Sequence, residues 1–373
     1  MNKLAICSGI LGQDSAYLSK FLIEKGYKVI GLHRRYSSMN TWRLDELGIT
    51  NHSNLSLIEC DITDCNSVSR IINRYKPDEF YSLAAMSHVG SSFDCPDLTL
   101  ETNGNSVINM LEAIRLYSPH TRFYQASTSE LYGSNFTIKD GRKVQNELTP
   151  MSSNSPYGIS KYCSHSAVDL YRRSYGIYSV AGILFNHESP FRGDNFVTRK
   201  ITRWVGNFIK WKKDVDSQEC NKGIEYKFDG SNISTYRTNP YNKPYSEPAS
   251  WLVGPQFPKL KLGNLEAVRD FGYSKEFVEC MWLMLQQNKP RDYVVGTGVP
   301  TKISEFLDYC FEEIGIKDWT PYVEIDKSLF RNCEVEFLCA DPSLIEKELG
   351  WKAKTTVKEL AKLMVLSDIE RLK

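Results

Sequence analysis

Through its first half the chain alternates apolar runs of strand length with longer segments of helical period, and few folds accept that order. Lys3 to Ser8, Lys28 to His33, Ser56 to Cys60, Glu79 to Ala84 and Arg122 to Ala126 read as strands. Ser15 to Lys25, Ser67 to Tyr75 and Thr102 to Tyr117 carry apolar residues at i, i+3 and i+4, the spacing of helices packed on a sheet. The alternation predicts an α/β fold with a parallel, doubly wound sheet, right-handed crossovers, and ligands at the carboxyl ends of the strands. A helix over about Ser155 to Tyr175 and a strand over Tyr178 to Phe185 extend the pattern. Later helices are expected at Ser274 to Gln287, Ser304 to Ile314 and Val357 to Leu372.

Length and charge bound the rest. With 373 residues there is room for two or three domains of about 150 residues each. Lys+Arg number 46 and Asp+Glu 45, a net charge of +1, so there is no excess field to hold a nucleic acid through its phosphates. No apolar stretch approaches the roughly 18 residues of a membrane span, and the start reads as a buried strand rather than a signal peptide, which points to the cytosol. Ten cysteines are scattered without C-x-x-C spacing and read as free thiols, with no metal site. Trp211 to Pro258 shows neither period and exceeds the roughly 15 residues of ordinary loops, so a surface insertion is expected over 211–258.

After the first strand comes Gly9-Ile-Leu-Gly12-Gln13-Asp14-Ser15, opening a helix. Small residues there let the backbone approach a pyrophosphate held at the helix N-terminus. His33-Arg34-Arg35 ends the second strand, where an NAD-binding fold puts an acidic residue on the ribose 2′-OH. Guanidinium groups suit a 2′-phosphate, so NADP is favoured; a solvated basic pair on a turn is the alternative. Asp61-Ile62 follows the third strand and Leu83-Ala84-Ala85-Met86-Ser87-His88 the fourth. Asp61 suits an adenine amino group, the small residues leave room for a cofactor, and His88 reads as a structural or positioning residue.

Ser127-Thr128-Ser129-Glu130 ends the fifth strand, with Thr128 and Glu130 on one side if the extended backbone continues. Tyr157-Gly-Ile-Ser-Lys161 puts a phenol and an ammonium at i and i+4 on one helix face. A free Tyr has a pKa of about 10. An adjacent Lys⁺ and a cationic oxidised nicotinamide both favour phenolate, which suits Tyr157 to act as a base.

On these residues the chain resembles the extended short-chain dehydrogenase/reductase family and, within it, the GDP-mannose 4,6-dehydratases. More specific stretches carry the likeness: Arg122 to Gly133, Gly182 to Pro190, Phe196 to Arg203 and Arg34 to Asn40. It runs from Lys3 to about Arg203 and from Leu262 to about Trp351. The resemblance implies a Rossmann-type NADP domain and an internal redox dehydration, with Tyr157, Thr128 and Lys161 serving C4 oxidation and Glu130 taking the C5 proton. An epimerase or reductase on the same fold has no use for Glu130, and a non-catalytic NADP sensor none for the whole set.

Cofactor contacts implied by the resemblance are Gly9, Gly12, Gln13, Asp14, Arg34, Asn40, Asp61, Ile62, Leu83, Ala85, Ser87, Lys161, His187 and Arg192. Substrate contacts implied are Ser87, Asn186, Val197, Lys200, Arg203, Arg269, Arg331 and Glu334, with GDP-mannose or a GDP-heptose as the sugar nucleotide. The NADP domain is expected over 1–186 and about 270–300, and a GDP-sugar domain over about 187–269 and 301–373. A homodimer or homotetramer is implied. Leu11, Ser15, Leu98, Phe271 and Tyr273 depart from the family pattern, which usually has Thr, Gly, Tyr, Trp and His there.

Overall fold

The computed structural model describes residues 3–38, 40–216, 224–228, 233–237, 257–330 and 333–372. Strands β1 (Leu4–Ser8), β2 (Lys28–His33), β3 (Leu55–Glu59), β4 (Glu79–Ser82) and β5 (Arg122–Thr128) form a parallel sheet with Ser179–Leu184 and Tyr293–Val295. Its order is β3-β2-β1-β4-β5, then Ser179–Leu184, then Tyr293–Val295. The winding reverses between β1 and β4, and that switch point is where an open α/β sheet leaves its crevice.

Both faces of the sheet are covered. Leu18, Leu22, Met281 and Phe277, from helices Gln13–Glu24 and Ser274–Leu285, belong to one core with Ala5 and Tyr81. Ile72, Met110, Leu111 and Val168, from helices Cys65–Tyr75, Ser106–Tyr117 and Pro156–Tyr175, belong to the other with Ile6 and Phe80. Apolar side chains on both pleats explain the near-continuous apolar strands. The helix expected from Thr102 opens instead with a π-helical turn, Glu101–Asn105, ahead of Ser106–Tyr117.

The chain divides into two units, one of residues 1–191, 267–301 and 331–356, the other of 192–266, 302–330 and 357–373. Residues 331–356 therefore part from the expected division and join the first. Val268 N donates to Glu336 O at 2.8 Å, Leu338 N to Val268 O at 3.0 Å and Gln145 N to Cys339 O at 2.8 Å. Val335, Leu338 and Ala340 are buried in one cluster with Tyr132, Phe185 and Val294. Backbone pairing and apolar burial hold this segment where its position in sequence would not have put it.

In the second unit, helices Val197–Asp216, Ile303–Glu312 and Val357–Arg371 accompany a parallel pair, Leu260–Leu262 with Val323–Ile325. Its core is aromatic: Trp204 packs on Phe208, Phe257, Phe311 and Tyr322. Arg199 and Asp368 form a buried ion pair inside it. The expected insertion is partly regular. The Val197 helix continues to Asp216, and Ile224–Phe228 pairs antiparallel with Ile233–Arg237. Five residues of alternation, Ile224-Glu-Tyr-Lys-Phe228, were too short to stand out among Asn, Ser and Pro. Among the described residues no helix is long and apolar enough to cross a membrane.

Candidate active site

Gly9 leaves β1 with φ +71°, and a Cβ there would lie 2.9 Å from Ala84 Cα. Only glycine fits this approach of the turn to the end of β4. Ser8 makes the same junction: its hydroxyl accepts from Leu83 N at 3.0 Å and Ala84 N at 3.1 Å. Ser15, in the place of a third glycine, is buried and donates to Ser8 O at 2.8 Å, so its hydroxyl is absorbed by the turn. Gly12 caps the first helix without a side-chain acceptor. Backbone N–H groups at a glycine-shaped helix start suit a pyrophosphate, so the turn fits the dinucleotide that the resemblance implies.

Gln13, Asp14 and His187 engage one another. Gln13 Nε2 donates to His187 O at 3.0 Å and its Oε1 accepts from Ser189 Oγ at 2.7 Å. Asp14 Oδ2 lies 2.9 Å from His187 Nε2, while Oδ1 accepts from Ser274 Oγ at 2.7 Å. His187 Nδ1 lies 2.7 Å from Phe185 O, an acceptor only, so Nδ1 carries a hydrogen. These side chains brace the turn against strand Asn186–Glu188.

At the end of β2, Arg34 is exposed, its Nε donating to Tyr36 Oη at 3.1 Å. Asn40 is exposed, Ile62 is buried, and Asp61 Oδ1 accepts from Thr63 N and Oγ1 at 3.0 and 2.8 Å. Beyond β4, Leu83 and Ala85 are half-buried and Ser87 is exposed. His88 caps the short helix Val89–Ser92, its Nδ1 accepting from Ser91 N at 3.1 Å. Leu98 is 53% exposed.

Thr128 is the last residue of β5, and the extended backbone does not continue beyond it. Ser129–Leu131 forms a 3-10 turn, because Thr128 Oγ1 caps it by accepting from Glu130 N at 3.2 Å. A Cβ on Gly158 would lie 3.0 Å from Glu130 O, so a glycine beside Tyr157 lets the helix approach this turn. The helix Pro156–Tyr175 carries Tyr157, 8% exposed, and Lys161, 3% exposed. Lys161 Nζ donates to Ala126 O at 2.9 Å and lies 6.0 Å from the Tyr157 ring centroid. Burial pulls the Lys161 ammonium down to about 8, against a smaller upward pull from Asp14.

Both backbone polar groups of Tyr157 are tied down. Its N–H donates to Ser92 Oγ at 3.1 Å, and its carbonyl accepts from Ser160 Oγ at 2.7 Å. Ser160 in turn accepts from Asn103 Nδ2 at 3.1 Å, and the Asn103 amide pairs with Met86 N and O at 2.8 and 3.0 Å. The π-helical turn thus links the loop after β4 to the helix of Tyr157. Sequence reasoning missed Ser8, Ser92 and Asn103; buried polar residues inside otherwise apolar elements were the available signal.

Within the same unit, Phe271 pairs with Asn186 in a parallel ladder. Arg269 is buried, its Nη2 donating to Glu334 Oε1 at 3.0 Å. Tyr273 meets Tyr17 edge-on at 6.3 Å. Arg331 lies outside the described residues. In the second unit, Arg192 stacks 3.6 Å over the Phe196 ring, Val197 opens a helix, Lys200 N donates to Phe196 O at 2.8 Å and Arg203 pairs with Asp194.

A doubly wound sheet with a glycine turn at its switch point, and a Tyr-x-x-x-Lys helix against the end of β5, defines a short-chain dehydrogenase/reductase-type enzyme. The family model for GDP-mannose 4,6 dehydratase matches residues 6–217 and 248–364, and the chain belongs to that family. It is 41% identical to GDP-mannose 4,6 dehydratase 1 of Arabidopsis thaliana, over all of this chain and 91% of that one. GDP-mannose 4,6-dehydratase of Vibrio cholerae serotype O1 is 38% identical over 99% of this chain and 94% of its own. Among solved structures the fold is similar to Thermotoga maritima UDP-glucose 4-epimerase with UDP-glucose (TM-score 0.76, 21% identity, 99% of this chain and 100% of that one). It is as similar to the dTDP-glucose 4,6-dehydratase DesIV of Streptomyces venezuelae with NAD and TYD (TM-score 0.76, 20% identity, the same coverage). RMD of Pseudomonas aeruginosa with NADPH follows (TM-score 0.69, 17% identity, 99% and 100%). Epimerase and dehydratase share this fold, so the reaction is decided by the site.

Proposed function

We propose that the chain is a 4,6-dehydratase, a hydro-lyase that converts GDP-α-D-mannose to GDP-4-keto-6-deoxy-D-mannose with NADP regenerated at each turnover. The observation that carries this reading is Glu130 on a turn capped by Thr128 and closely approached, at Gly158, by the helix of Tyr157 and Lys161. The full-length likeness to proteins named GDP-mannose 4,6-dehydratase supports the substrate. Both NAD and NADPH occur among the structural neighbours; Arg34 at the end of β2, with no acidic residue there, favours NADP.

A bound nicotinamide would supply the redox chemistry, as hydride acceptor for C4 and donor for C6. Gly9, Gly12 and the first turn of the Gln13 helix would hold the pyrophosphate, and Arg34 the 2′-phosphate. Tyr157 Oη accepts the C4 hydroxyl proton, Thr128 Oγ1 hydrogen-bonds that hydroxyl, and protonated Lys161 favours the phenolate. The 4-keto group acidifies C5–H. Glu130 takes that proton and delivers it to the C6 hydroxyl, which leaves as water. The proton collected by Tyr157 balances the one restored to C5.

Incubating the protein with GDP-mannose and catalytic NADP⁺ should give a C6 methyl doublet by NMR as the hydroxymethyl signals vanish. Unchanged GDP-mannose beside a GDP-heptose that reacts would move the substrate assignment to the longer sugar. Neither reacting would remove the dehydratase reading.

A further inference from the structure

Arg43 lies three residues after Asn40, on the short helix Trp42–Glu46, and no contact implied by the family resemblance includes it. Its guanidinium is half-buried and makes two hydrogen bonds to backbone carbonyls from different parts of the first unit. Nη1 donates to Leu11 O at 2.9 Å, inside the glycine turn, and Nε donates to Phe191 O at 2.9 Å, just beyond strand Asn186–Glu188. The helix beneath it is anchored: Leu44 is fully buried, and Asp45 accepts from Thr41 Oγ1 at 2.8 Å and Thr50 Oγ1 at 2.5 Å. Arg43 also stacks on Trp42 at 4.5 Å, Trp42 meets Phe191 edge-on at 5.2 Å, and Phe191 stacks on Tyr17 at 4.7 Å. One planar group therefore joins the turn, the segment after the strand, and the chain just past the Arg34–Asn40 loop.

We infer that Arg43 is a cofactor-positioning residue, joining the pyrophosphate turn and the 2′-phosphate loop into one rigid unit. The inference rests on the NADP reading above. Two carbonyls set apart from one another need a forked donor. A lysine at the same place keeps the charge, but its donors all radiate from one nitrogen and do not reproduce the planar spread by which Nη1 and Nε reach two carbonyls. Without the fork, the turn and the loop can shift against each other, and a ligand that holds both loses the advantage of finding them preset.

The test uses cofactor-free protein and follows quenching of tryptophan fluorescence on titration with NADPH and NADH. Arg43→Lys should weaken NADPH about tenfold, and NADH less, so that the preference for the 2′-phosphate narrows. Arg34→Ala should cost several-fold less affinity in an Arg43→Met background than in the wild type, because the two residues then serve one unit. An Arg43→Lys protein that binds NADPH like the wild type would overturn the inference, as would two substitutions whose effects simply multiply. If Arg43→Met does not fold, the Arg43→Lys comparison decides. A folded wild type that binds no NADPH fails at the cofactor reading itself and takes the inference with it.

Discussion

Lys161 keeps its ammonium 6.0 Å from the Tyr157 ring centroid while donating to Ala126 O at 2.9 Å, one helical turn and one strand end meeting with both side chains buried. The arrangement holds a positive charge beside the phenol at the expense of burying it.

That burial has a measurable sign. The Lys161 pKa is lowered from 10.5 to about 8. Below about pH 8 the native protein carries a buried charge; between pH 8 and 10.5 it sheds a proton that the unfolded chain retains, so this residue's contribution to stability improves as pH rises through that window. Lys161→Met should end turnover yet stabilise the cofactor-free protein at pH 7, by up to about 3 kcal/mol less the lost hydrogen bond to Ala126. Thermal melts at pH 7 and pH 10 read this directly: the gain should shrink at the higher pH.

Gly9→Ala should weaken dinucleotide binding at least about tenfold and lower stability by about 1–3 kcal/mol. The added Cβ meets backbone at Ala84 rather than the end of a flexible side chain. Titration with NADPH and a denaturant melt would check both effects; unaltered binding would mean the turn is not the pyrophosphate site.

Glu79 opens β4, at the end of the sheet opposite the crevice, and is fully buried. Its Oε1 accepts from Lys3, Tyr27 and Gln286, each at 3.0 Å, and its Oε2 from Tyr81 at 2.7 Å. Glu79→Gln turns one acceptor into a donor facing donors and should cost about 2–4 kcal/mol of stability. The folded fraction should keep its KM, which steady-state kinetics below the melting point can verify.

Much of the fold was legible because its signals are local. Gly9 stands between a strand and a helix, and Tyr157 and Lys161 share a helix face by spacing alone. What escaped depends on contacts distant in sequence. Asn103 reads as an ordinary helical residue until its amide meets Met86 and Ser160, 17 and 57 residues away. No motif marks Arg43 in the sequence, and its bond to Phe191 lies 148 residues on. Gln13, Asp14 and His187 are legible as members of a cofactor motif, but the bonds that join them are not, since a motif conveys which residues gather but not which of them bond. Glu130 was legible in identity but not in geometry, because the Thr128 cap bends the strand into a turn.

Glu130 carries the chemistry that sets a dehydratase apart, and the measurement that tests it is the rate of C6 methyl formation from GDP-mannose, by NMR, in Glu130→Gln against wild type. Loss of the general acid–base should slow that signal by about 10²–10⁴-fold while NADPH affinity and the melting temperature stay near wild type. A Glu130→Gln protein that forms the methyl group within a few-fold of the wild-type rate would contradict the assignment of C5 deprotonation and water loss to this carboxylate.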